Sequence, residues 1–261
     1  MNKIKTAILF SAISMTPFAH ATLTPPIKNK QLVKQVNTLV AGYELQTSNS
    51  KDNNPAVYDQ PYLSFQHTTM ASWGSATGWL TLDNPMDSAE NQKGVDAGAT
   101  VRAWLKLDYN IGDSPYNIWF QSFTMSNSIC SQEDLYLGVS RDILFGQLRG
   151  TFGVGAHYGW GAFNPASISY NGMNGLATSL LLGYPITNKL VGKVFFEAQF
   201  ARSDELKRTF GFDDYGHLAA IGLDYHFNKK LWIGTSFRHR KSWGPVKDNG
   251  GNFFFEAGYK F

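Results

Sequence analysis

The sequence predicts an all-β fold: a transmembrane antiparallel up-and-down β-barrel of about 12 strands that follows a cleaved signal peptide. Three observations carry that expectation. The last eleven residues keep a strict period of two, twelve segments of similar character recur along the chain, and the connections between them alternate between short and long.

In the terminal stretch, Phe253, Phe255, Ala257, Tyr259 and Phe261 fall at every second position, with Phe254, Glu256, Gly258 and Lys260 between them. A period of two is a strand with one apolar and one mixed face. A soluble sheet can end in such a strand, but an aromatic last residue is similar to the ending common among bacterial outer-membrane barrels.

Residues 1–21 read as an export signal. Lys3 and Lys5 form the charged start, Ala7 to Phe10 with Ala12, Ile13 and Met15 the apolar middle, and Ala19-His20-Ala21 the cleavage site. The apolar run is too short for a spanning helix. Removing 21 of 261 residues leaves 240, as a single barrel domain over residues 22–261 with 21 basic against 20 acidic residues. A balance so close to neutral gives no case for polymeric nucleic acid as a partner.

Composition narrows the class further. Aromatic residues make up 15% of the chain and glycine occurs 25 times, a pairing suited to many strands with aromatic girdles. No later run approaches the roughly 18 apolar residues of a membrane helix. The lone Cys130 excludes an intramolecular disulfide framework and is expected to be an idle thiol in a loop.

Strands are expected at residues 33–45, 62–70, 75–83, 99–110, 117–125, 134–141, 147–158, 175–184, 191–201, 217–227, 231–240 and 252–261. Residues 22–30, with Pro25-Pro26, are expected to be an irregular lead-in. Short connections fall at 71–74, 111–116, 142–146, 185–190 and 228–230. Longer polar ones fall at 46–61, 84–98, 126–133, 159–174, 202–216 and 241–251. A membrane barrel sorts its connections in this way, with tight turns on one side and long loops on the other. A soluble sandwich has no reason to.

In the clearer strands the faces can be assigned. Val101, Ala103, Leu105, Leu107 and Tyr109 face lipid, which turns Arg102, Trp104, Lys106 and Asp108 to the lumen. Val194, Phe196, Ala198 and Phe200 outward leave Lys193, Phe195, Glu197 and Gln199 inside. By the same alternation Asp224, His226, Trp232, Ser236, Arg238, Arg240, Phe254, Glu256 and Lys260 face inward. The energetic reason is that Arg or Lys on the lipid face costs roughly 2–4 kcal/mol at the midplane. Pattern alone leaves the register open in 33–45, 62–70 and 117–125.

A lumen with charges of both signs and large aromatics admits two readings. In one, opposite charges pair and aromatics fill a closed plug. In the other, they line a narrow channel for a flat polar solute. The candidate solute-binding residues are Arg102, Trp104, Asp108, Lys193, Phe195, Glu197, Asp224, Trp232, Arg238, Arg240, Phe254 and Glu256, with Trp104, Phe195, Trp232 and Phe254 expected as one aromatic file.

Several stretches resemble the Tsx family of nucleoside-specific outer-membrane channels. These are Val36-Asn37-Thr38-Leu39-Val40-Ala41-Gly42-Tyr43, then Tyr62-Leu63 answered by Gly78-Trp79-Leu80-Thr81-Leu82-Asp83. Tyr170-Asn171-Gly172, Gly183-Tyr184-Pro185-Ile186-Thr187, Gly192-Lys193-Val194 and the closing Ala257-Gly258-Tyr259-Lys260-Phe261 continue the likeness. The sequence departs in its smaller outside loops and in reading Tyr170 where the family pattern has Trp. The resemblance implies passive uptake of nucleosides across a bacterial outer membrane. Outer-membrane lipid and lipopolysaccharide are the expected surroundings, and the long outside loops are a place where phage or surface ligands could attach, as on any abundant porin. Stacking of a base on an aromatic is worth roughly 1–3 kcal/mol, and transport needs several such weak sites in succession.

Other classes find less in the sequence. A barrel hydrolase is expected to carry a His-x-Ser pair, and none of the six histidines is followed two residues later by Ser, so no enzyme is expected. The histidines and the single cysteine have no metal-ligand spacing. The glycines of residues 150–161 lack a following Lys-Ser/Thr, so no phosphate loop and no cofactor are expected. A closed or general-porin barrel acting as a receptor remains the alternative to a selective channel.

Overall fold

A computed structural model describes residues 32–54, 57–87 and 98–261. The expected signal at 1–21, the lead-in at 22–30 and most of the connection 84–98 lie outside the described residues. Twelve strands close into one antiparallel barrel in which every strand pairs with its sequence neighbours, and β1 (Leu32–Gln46) meets β12 (Val246–Lys260) to seal the wall. Between them run β2 (Gln60–Ala71), β3 (Gly74–Asp83), β4 (Thr100–Asn110), β5 (Tyr116–Ser126) and β6 (Cys130–Phe145). The circuit continues with β7 (Leu148–Phe163), β8 (Ile168–Pro185), β9 (Leu190–Phe200), β10 (Gly216–His226) and β11 (Leu231–Trp243). No described helix is long and apolar enough to cross a membrane.

All twelve expected strands are present, but several run further than their patterns suggest. β6, β7 and β8 are 16, 16 and 18 residues long, because the Gly-rich stretch after Tyr158 goes on pairing in register up to Phe163–Ile168. The expected long connections therefore shrink. Residues 127–129 close under the Asn127 side chain, which accepts from the Ile129 and Cys130 amides. Asn164–Ala166 form a single 3-10 turn ended by Ser167 at φ 54°. Across 241–251, β11 and β12 extend to a turn at Gly244, whose φ is 58°. Cys130 opens β6 rather than lying in a loop. Long connections survive at 47–59, 84–99 and 201–215; the first and last carry the short helices α1 (Ser48–Asn53) and α2 (Asp204–Phe210).

The two faces separate as charge and hydrophobicity demand. Outward stand Leu39, Leu63, Leu80, Val101, Ile221 and Ile233, all exposed, and Tyr109, Tyr116, Tyr184, Tyr225 and Tyr259 ring the tight-turn end. Ala198 keeps its outward parity but is fully buried, since its methyl group is shorter than the flanking Phe196 and Phe200 on the same face. Inward stand Lys106, Asp108, Lys193, Glu197, Asp224, Arg240 and Glu256, all buried. The lumen holds such large side chains partly because glycines leave them a seat. A Cβ at Gly42 would collide with the Tyr62 ring, and one at Gly258 with the Trp232 indole.

Candidate functional site

The end of the barrel that carries the long connections opens into a vestibule of about 380 Å³. Glu44, Asp83, Arg102 and Arg240 form its floor, and residues of both helical connections form its rim. Each helix is held by capping. α1 starts at Thr47, whose hydroxyl accepts from the Ser50 amide and donates to Gly251 O on β12 at 2.9 Å. α2 starts at Ser203, which accepts from the Leu206 amide and donates to Asn174 on β8 at 2.5 Å, and it stops at Gly211 with φ 68°.

The 201–215 connection folds inward. Leu206 is fully buried against Tyr170 and Phe212, and Phe210 stands edge-on to Tyr170 at 5.6 Å. Arg202 stacks on Phe212 at 5.0 Å and Trp243 at 5.9 Å, and its Nε donates to Gln199 at 2.9 Å. Burial pulls its guanidinium below the ordinary arginine range, against the opposing pull of Asp134. Arg208, Thr209, Phe210 and Gly211 consequently overhang the vestibule.

The floor is an ion-paired frame. Arg102 Nη2 donates to Asp83 Oδ1 at 2.6 Å and lies 3.8 Å from Glu44, and Arg240 Nη2 lies 3.3 Å from Glu44 on the other side. Gln46 donates to Glu44 at 2.7 Å, and Asn252 donates to the same oxygen. Below the frame the space narrows to a chamber of about 50 Å³, room for one or two waters. The aromatics Trp79, Trp104, Phe123, Phe195 and Trp243 line it together with Arg102, Arg238, Arg240 and Glu197. Trp104 donates its indole N–H to Glu197 at 3.1 Å, and Gln121 donates to the same oxygen. Arg102, Met125, Arg240, Gly244 and Pro245 line both vestibule and chamber, so the two spaces adjoin.

Towards the tight-turn end the lumen is filled. Trp119, Tyr136, Trp232 and Phe254 are at most 1% exposed. Lys193 pairs with Asp224 at 2.6 Å, Lys106 with Asp108, and Tyr62 donates to Glu256. Ser140 donates to Asp108 at 2.6 Å. Higher up, His157 Nε2 lies 2.8 Å from Asp134, and Gln199 donates to the Tyr136 hydroxyl at 2.6 Å. No described group of three His, Cys, Asp or Glu side chains is arranged to hold a metal.

The twelve sequence-derived candidates all lie on the inward face, but not in one group. Arg102, Trp104, Phe195, Glu197, Arg238 and Arg240 surround the chamber. Trp232 and Phe254 pack with Val40 and Tyr62 in a separate cluster, so the expected single aromatic file is two. Asp108, Lys193, Asp224 and Glu256 are tied into the pairs beneath. Sequence reasoning missed Glu44, Asp83, Trp79, Phe123 and Trp243. Trp79 and Asp83 alternate with Gly78, Leu80 and Leu82, a signal strong enough to have placed them inside.

Among solved structures, the NanC porin superposes with a TM-score of 0.55 at 12% identity, over 86% of this chain and 100% of that one. The KdgM porin gives 0.48 at 10% identity over 86% and 99%. An outer-membrane channel from Pseudomonas putida F1 gives 0.49 at 9% over 91% and 100%. The first of these agrees with the barrel architecture. No curated protein matches the chain. The profile of the nucleoside-specific channel-forming protein, Tsx, matches residues 42–261, from within β1 through every later strand, and leaves the quoted residues 36–41 outside. The chain therefore belongs to the Tsx family of nucleoside-specific channel-forming proteins and is a substrate-specific channel of the bacterial outer membrane.

Proposed function

We propose that this channel selects its solute in the half of the lumen under the long connections, which face outward from the cell in barrels of this kind. The observation that carries the reading is the aromatic chamber set directly below an ion-paired, open vestibule. A nucleoside offers a π-face and a hydroxylated edge. Trp79, Trp104, Phe123 and Phe195 supply faces for the base, worth roughly 1–3 kcal/mol per stack. Glu44, Asp83, Arg102 and Arg240 supply acceptors and donors for the sugar. The pairs Lys193–Asp224 and Lys106–Asp108, with Glu256, then act as further weak sites on the way down, so that no single site traps the solute. The chamber is narrower than a nucleoside, so passage requires side-chain movement at Trp104 and Phe195.

Two substitutions made together, Trp104→Ala and Phe195→Ala, test this. Half-block of single-channel current by adenosine should need at least tenfold more ligand, the loss of one stacking interaction. Unchanged block removes the chamber as the base site.

The filled lower lumen favours one alternative, a barrel closed at rest whose surface loops bind phage or another ligand. Planar-bilayer conductance separates the two, since a permanently closed barrel passes no current. We further propose that residues 1–21 are the export signal and 22–261 the barrel domain. The apolar outer wall then meets outer-membrane lipid, with lipopolysaccharide at its outer end.

A further inference from the structure

The cavity carries more positive charge than a neutral solute calls for. Vestibule and chamber together present five basic side chains, Arg102, Arg208, Arg238, Arg240 and Lys247, against the acids Glu44, Asp83 and Glu197. The acids are already engaged with the wall: Asp83 with Arg102, Glu44 with Arg240, and Glu197 with the indole N–H of Trp104. Among the described residues Arg208, Arg238 and Lys247 enter no ion pair.

Of these three, Arg238 stands at the depth of the chamber. It projects from β11 between Ala220 and Asn252 in the register of the neighbouring strands. Its guanidinium carbon lies 3.5 Å from the centroid of the Phe254 ring, and its Nε has no hydrogen-bond partner. A guanidinium laid flat on an aromatic face keeps its in-plane N–H groups free along its edge, the geometry that grips a phosphate with two hydrogen bonds. Glu44 and Glu256 lie within electrostatic reach of Arg238 but neither meets it at ion-pair distance, so an anionic solute at its edge supplies the direct contact that those acids do not make. Low-dielectric walls strengthen its field along the cavity, and arginine or lysine rings are how pores admit phosphates.

We propose that the channel takes nucleoside monophosphates as well as nucleosides, with the phosphate on Arg238 and the base among the chamber aromatics. The base site rests on the reading given under Proposed function; the phosphate site is the addition. The full-length channel in planar bilayers tests it through current block by three probes: adenosine, adenosine 5′-monophosphate and inorganic phosphate. In the unaltered protein the monophosphate should block at about tenfold lower concentration than adenosine, one charge-assisted hydrogen bond's worth. Inorganic phosphate should block only at much higher concentration. Arg238→Gln should bring the ratio of the two nucleoside ligands close to one, and Arg238→Lys should retain part of it. Heat-modifiable gel mobility equal to that of the unaltered barrel shows that each variant has folded.

Adenosine block with no advantage for the monophosphate overturns the phosphate site alone. Failure of both ligands to block overturns the base site beneath it. Inorganic phosphate blocking as well as the monophosphate also overturns the proposal, because the anion would then be bound without its base. An advantage that persists undiminished in Arg238→Gln, or in Arg238→Lys where the glutamine variant does not fold, overturns the assignment of the phosphate to Arg238.

Discussion

Glu44 concentrates the energetics of the site in one side chain. It is 1% exposed and receives Arg240, Arg102, Gln46 and Asn252 at once. Removing one partner of a buried ion pair leaves the other charge without compensation, at a cost of about 3–5 kcal/mol. Glu44→Ala should lower barrel stability by that amount in urea unfolding from detergent, and Glu44→Gln by less, since the amide still accepts hydrogen bonds. Equal losses in the two variants would show that shape rather than charge holds the frame. Glu44 went unassigned from sequence because β1 mixes its faces: Val36 and Val40 point inward while Gln35 and Asn37 point outward. Only its outer end, Tyr43-Glu44-Leu45, alternates cleanly. In β4 and β9, where inward charges alternate with apolar residues, the inward face was legible residue by residue, and in β10 only at its inner end, Asp224 and His226.

Among the elements, α2 decides how wide the entrance is. Its sequence announces a helix, with Ser203 as cap, Asp204 and Glu205 in the first turn, and Gly211 after the last. The polarity of the surrounding loop concealed that signal. What the sequence could not announce is that the helix turns inward, which depends on Leu206 meeting Tyr170 from a strand far away in the chain. Leu206→Ala should cost about 2–5 kcal/mol of docking energy. The expected result is a larger and noisier single-channel conductance with weaker nucleoside block, read in the same bilayer recordings. Unaltered conductance would mean that the connection does not restrict entry. Strand ends were the other misjudged feature: β7 and β8 continue through Trp160 and Tyr170 because cross-strand pairing tolerates the glycines that a sequence pattern treats as breaks.

The molecule as a whole obeys a single division, greasy wall and charged interior. Ile221 sits midway along β10 on the outward face, 63% exposed. Ile221→Arg should destabilise the barrel by roughly 2–4 kcal/mol in lipid, measured by denaturant titration in phospholipid vesicles. A neutral outcome would show that this position does not meet hydrocarbon. Alternation made this division readable, since one residue in two must satisfy it. Whether the interior is open or closed was not readable, because the packing of Trp119, Tyr136, Trp232 and Phe254 depends on which distant strands face each other across the lumen.

The join between β1 and β12, nine residue pairs from Thr38–Lys260 to Gln46–Asn252, also has a kinetic meaning. Every other pairing brings together neighbours along the chain; this one unites segments about two hundred positions apart. Assembly should therefore proceed as a growing curved ribbon whose last act is to zip itself shut. Until that moment it has two bare borders that any sister chain can recruit.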